Sequence, residues 1–80
     1  MRVTHELTYY GTCPANGAPD TYSVTVETRR MVAVEDIIAA LSALPKPLYQ
    51  EEITERLAAA INCTVTTIGH HSGVKTTCSA

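Results

Sequence analysis

Residues 21–44 read TYSVTVETRRMVAVEDIIAALSAL, and within them the spacing of apolar residues changes from two to about 3.6. Tyr22, Val24 and Val26 alternate with Thr21, Ser23, Thr25 and Glu27, the pattern of a half-buried strand. After Arg29-Arg30, residues Val34, Ile37, Ile38, Leu41 and Leu44 fall on one helical stripe. Glu35 and Asp36 stand in the first turn, where the helix dipole favours anions. A strand feeding directly into a helix leaves open what pairs with the strand, so the flanks decide the architecture.

Upstream, residues 3–12 alternate as well, with Val3, His5, Leu7 and Tyr9 on one face and Thr4, Glu6, Thr8 and Tyr10 on the other. Cys13 to Asp20 separate the two strands with two prolines and Gly17, a loop of restricted geometry, so the pair reads as a hairpin. Downstream, Pro45-Lys46-Pro47 ends the first helix. A second helix follows, with Leu48, Ile53, Leu57, Ala60 and Ile61 on its apolar side and a Glu52–Arg56 pair one turn apart. Residues 63–68 predict a third strand, Gly69 to Gly73 a turn, and residues 74–79 a short fourth strand. The order ββααββ in one domain of residues 1–80 predicts an α+β fold: a four-stranded antiparallel sheet with both helices on one face.

Composition narrows the function. The chain has 80 residues, no Trp, no Phe and a net charge of −2. A core built from aliphatics and four Tyr is thin, which predicts assembly with identical chains. The densest basic point is Arg29-Arg30, short of the stripe that phosphate binding requires. No apolar run reaches the ~18 residues of a membrane span, and no h-region follows Arg2, so a cytoplasmic location is expected. Cys13, Cys63 and Cys78 lack CxxC spacing and fit neither a disulfide framework nor a zinc ribbon. His70-His71, with Cys63 or His5, is the one other metal-like grouping; adjacent histidines point apart, so no metal site is expected.

Cys63 and Cys78 sit in strand-like stretches and read as small core residues. Cys13 is different. It ends a strand, precedes a rigid Pro, and lies seven positions before a carboxylate able to exchange its proton.

Cys13-Pro14-x-x-Gly17-x-Pro19-Asp20 resembles the C-P-x-x-G-x-P-D signature of 7-cyano-7-deazaguanine reductases, nitrile reductases of the tunnelling fold (T-fold) in queuosine biosynthesis. The resemblance implies that Cys13 attacks the nitrile carbon to form a covalent thioimide and that Asp20 donates the proton. Tyr49-Gln50-Glu51 occupies the place of Phe-His-Glu, which implies that Glu51, with Gln50, binds the guanine-like edge of the substrate. A carboxylate offers two acceptors to the ring N–H and exocyclic amine of such a base. His71-Ser72-Gly73-Val74 stands where the reductases carry Arg-Gly-Gly-Ile, and Gly73-Val74-Lys75 is similar to a turn of GTP cyclohydrolase I, another tunnelling-fold enzyme. The likeness runs from about residue 7 to residue 78.

Where the reductases hold NADPH with Glu-Ser-Lys-Ser-x-Lys, this chain has Glu35-Asp36-Ile37-Ile38-Ala39-Ala40, with both lysines gone. No cation there would meet a polyanionic cofactor, so none is expected. The pattern is closer to the archaeosine-forming, reductase-like amidinotransferases, in which ammonia attacks the thioimide. The resemblance thus implies conversion of a cyano-deazaguanine, free or within tRNA or DNA, to an amidine. It also implies stacked rings of subunits with sites between chains. NADPH-dependent reduction, and reversible purine or pterin binding without catalysis, are the alternatives.

Overall fold

The computed structural model describes residues 1–80. The elements are β1 (Val3–Thr12), β2 (Pro19–Thr28), α1 (Val34–Ser42), α2 (Gln50–Ile61), β3 (Thr64–His71) and β4 (Val74–Ser79). They form one antiparallel sheet in the order β1-β2-β3-β4. Each strand pairs with its neighbour in sequence, so β1 and β4 are the free edges.

Side chains at alternate positions build the core. Tyr9, Tyr22, Val24, Val26 and Val65 project from the sheet into the cluster that receives Ile37 and Leu41 of α1 and Ile53, Leu57 and Ile61 of α2. Val26, Leu57 and Val65 are fully buried, each worth roughly 1.5–3 kcal/mol relative to an exposed side chain. Both helices therefore cover one face. The other face, carrying Thr4, Glu6, Thr8, Tyr10, Thr21, Ser23 and His70, is open.

Three departures from the sequence reading have local causes. First, β3 continues through Gly69 and His70 to His71, and the turn shrinks to Ser72-Gly73. These two residues have φ of 51° and 81°, the left-handed pair that joins twisted strands in a tight hairpin. Second, Glu52 turns back to accept the Tyr49 backbone N–H at 3.1 Å, closing the start of α2 instead of pairing with Arg56. Third, Cys63 precedes β3, in the bend after Asn62, whose φ of 52° ends α2 in a left-handed cap. Arg30 secures that end: its guanidinium donates to the carbonyls of Ile61 at 2.6 Å and Asn62 at 3.0 Å, which the helix leaves without partners.

Candidate active site

The β1–β2 connection is a folded loop. The Cys13 N–H donates to Ala18 O at 2.8 Å, and the Gly17 N–H returns to Cys13 O at 2.8 Å. Asn16 Oδ1 accepts the Ala18 N–H at 2.9 Å, and Gly17 takes a φ of 74° that a side chain would strain. Pro19 and Asp20 belong to β2, opposite Thr12 and Gly11. Asp20 and Tyr22 are two apart on one strand and share a face, so the Tyr22 hydroxyl donates to Asp20 Oδ2 at 3.1 Å.

The loop borders a cleft of about 280 Å³ that also takes in Asp20, Tyr22, Gln50, Glu51, His71 and Thr76. The four residues singled out from sequence, Cys13, Asp20, Gln50 and Glu51, thus come to one place from the hairpin and the start of α2. The volume is near the lower limit of ~300 Å³ for small-molecule sites. It suits one flat ring system.

Negative charge gathers here. Burial pushes the Tyr22 hydroxyl far above its usual range, helped by its bond to Asp20 and by the charges of Asp20, Cys13 and Glu51. Burial, then the Glu51 carboxylate, likewise raises the Cys78 thiol, with the Thr67 and Thr54 hydroxyls acting in the opposite direction. Glu51 is exposed at the first turn of α2, its carboxylate free of any protein hydrogen bond.

Gln50 is 2% exposed, and its amide is fully engaged. Nε2 donates to Thr67 O at 3.1 Å, Thr67 Oγ1 at 3.1 Å and Thr76 O at 3.0 Å. Oε1 lies 2.8 Å from His71 Nε2. Beneath it the Thr54 hydroxyl donates to Gln50 O at 2.8 Å, which spends its only hydrogen. The 2.7 Å contact between Thr54 and Thr67 must then run from Thr67 to Thr54. The result is a closed ring: Gln50 amide to Thr67, Thr67 to Thr54, Thr54 to the Gln50 carbonyl. Gln50 therefore pins α2 to β3 and β4 and meets the cleft chiefly through His71.

Gly69 makes room for this arrangement. A Cβ there would come within 2.6 Å of two Tyr22 ring carbons and 3.1 Å of Gln50 Oε1. The Tyr22 and His71 rings pack with centroids 5.9 Å apart.

Sequence reading missed Tyr22 and His71 as site residues. The i,i+2 spacing of Asp20 and Tyr22 was a usable signal. So was Ser72-Gly73 as a two-residue hairpin turn, which places His71 on the strand face shared with Thr67 and Gly69. His70, one position on, faces the open side of the sheet and is exposed. No three His, Cys, Asp or Glu side chains are grouped to hold a metal ion. No helix is long and apolar enough to cross a membrane.

A four-stranded antiparallel sheet with two helices on one face, and a thiol and two carboxylates at a cleft beside its first hairpin, defines a small α+β domain of the tunnelling fold. The crystal structure of the archaeosine synthase QueF-Like in the apo form shares this fold, with a TM-score of 0.83 over 99% of this chain and 90% of that chain, at 23% identity. No protein-family model and no curated protein matches the chain.

Proposed function

We propose that this protein binds a 7-cyano-7-deazaguanine, as free base or within nucleic acid, traps its nitrile on Cys13 and converts it with ammonia to an amidine. The supporting observation is the meeting of Cys13, Asp20 and Glu51 at one cleft, with Asp20 held by the buried Tyr22 hydroxyl. The Cys13 sulfur adds to the nitrile carbon as thiolate. Its proton passes through Asp20 to the nitrile nitrogen, giving a neutral thioimide. Tyr22 donates to only one Asp20 oxygen, which leaves the other for this transfer. The Glu51 oxygens accept the ring N–H and the exocyclic amine of the base, fixing the nitrile near sulfur. Gln50 supports the site from behind. That the tunnelling-fold neighbour is an archaeosine synthase agrees with this chemistry.

The scheme uses ammonia and no nicotinamide, in keeping with the uncharged run Ile37-Ile38-Ala39-Ala40 where a cofactor phosphate would need cations. The reading includes a homo-oligomer in which a second copy completes the wall of the cleft. The test is intact-protein mass spectrometry with 7-cyano-7-deazaguanine. The expected result is a one-to-one adduct in wild type that is absent in Cys13→Ala. An unmodified mass at saturating base rejects the covalent scheme and leaves reversible binding.

A further inference from the structure

The cleft is lined by five groups that become negative when they lose a proton: Cys13, Asp20, Tyr22, Tyr49 and Glu51. His71 is the one lining side chain able to hold a positive charge. The tautomer of its neutral ring can be read from the hydrogen bonds around Gln50.

Two of the acceptors facing Gln50 Nε2 are the backbone carbonyls of Thr67 and Thr76, which cannot donate. The amide must therefore point its NH₂ at them and its oxygen at His71. An amide oxygen only accepts, so His71 Nε2 carries a hydrogen and donates it over 2.8 Å. In the neutral ring Nδ1 then holds the lone pair. Nδ1 has no protein hydrogen-bond partner, and it is not among the buried unpartnered atoms, a set that contains only His5 Nε2. It is therefore open to solvent. Tyr22 from β2 and Gln50 from α2 contact the imidazole, and Cys13, Asp20, Glu51 and Thr76 line the same cleft.

We propose that His71 is the base that receives the proton of the attacking amine, and that Gln50 is the positioning residue that keeps His71 in the Nε2–H form. This rests on the thioimide reading above. Ammonia forms a C–N bond to the thioimide carbon and gives one proton to Nδ1. The C–S bond breaks, and the imidazolium returns that proton to the departing Cys13 sulfur. The thioimide and ammonia become an amidine and a free thiol, with nothing oxidised or reduced.

Two measurements test the two parts separately. Long-range ¹H–¹⁵N correlation NMR reports which nitrogen of neutral His71 bears hydrogen. The Nε2–H pattern is expected in wild type, with a mixed pattern in Gln50→Met; an Nδ1–H pattern in wild type overturns the assignment. In single-turnover experiments on preformed adduct, ammonia should release product at least tenfold more slowly from His71→Ala than from wild type. Added imidazole should restore part of the rate, which a purely structural defect would not allow. Release from His71→Ala at the wild-type rate, or a slow release that imidazole does not raise, overturns the base role. If wild type forms no adduct at all, the thioimide reading fails and the base role falls with it, while the NMR result still decides the tautomer.

Discussion

A hydrogen atom in place of a methyl group at position 69 lets the Tyr22 ring lie against β3 while its hydroxyl reaches Asp20. Tyr22 is 1% exposed and has no room to retreat. Gly69→Ala should therefore destabilise the protein by about 1–3 kcal/mol, read as a fall in Tm, and should slow adduct formation at Cys13. Tyr22 also makes stability depend on alkaline pH. Its hydroxyl ionises in the unfolded chain near pH 10.0 but only at higher pH in the fold. The fold thus keeps a proton that the unfolded chain has lost, so stability is full below pH 10 and declines above it. The slope is up to about 1.4 kcal/mol per pH unit. Denaturant unfolding of wild type between pH 9 and 11 should show this decline, and Tyr22→Phe should show a flatter one. Cys78 provides a second check. Its thiol is raised by burial and by Glu51, so it should resist iodoacetamide at pH 8, with peptide mapping finding it labelled far more slowly than an unfolded-chain cysteine.

Strands and helices with a clear period were legible in the sequence. Alternation over residues 3–12 and 21–29 and the helical stripe from Val34 marked β1, β2 and α1, although β2 starts earlier, at Pro19, and ends at Thr28. Of its stripe α1 buries only Ile37 and Leu41, leaving Val34 and Ile38 half exposed. The third strand was cut short, since Gly69 and the paired histidines look like turn residues. What sets its end is Ser72-Gly73, a conformational property rather than a polarity pattern. Of the cleft, the loop signature marked Cys13 and Asp20, and a neighbouring segment marked Gln50 and Glu51. Local spacing could have pointed to Tyr22 and His71, but the contacts of Thr54 and Thr67 with Gln50 depend on how α2 packs on β3, and no local pattern encodes that. The same turn yields a prediction. Ser72 holds a φ of 51°, which Asn tolerates better, so Ser72→Asn should stabilise the β3–β4 hairpin by about 0.5 kcal/mol and raise Tm by a few degrees. At the other end of the sheet, Arg30→Ala should lower stability by about 1 kcal/mol, because it strips the donors from the last carbonyls of α2.

The whole chain is a thin slab, 40 × 23 × 16 Å, with a core on one side of its sheet and a threonine-rich surface on the other. Both outer strands have unpaired backbone, and Tyr10, Val34, Ile38, Tyr49 and Val74 are at least half exposed. Such edges are places where a second copy can add. Because Cys13 and Glu51 line one cleft of the same chain, mixing inactive Cys13→Ala and Glu51→Ala proteins should regenerate no activity even after subunits exchange. Recovery of activity, with exchange confirmed by native mass spectrometry, would instead place Cys13 and Glu51 of different chains in one working site.

The ring formed by Gln50, Thr67 and Thr54 has one further consequence, which concerns where protons can travel. Its sense of donation is fixed at the Gln50 carbonyl, which has no hydrogen to hand back, so the ring cannot run in reverse as a relay. Behind His71 the interior is an insulator. Any proton that the imidazole gains or loses must cross the mouth of the cleft, on the same side as Cys13.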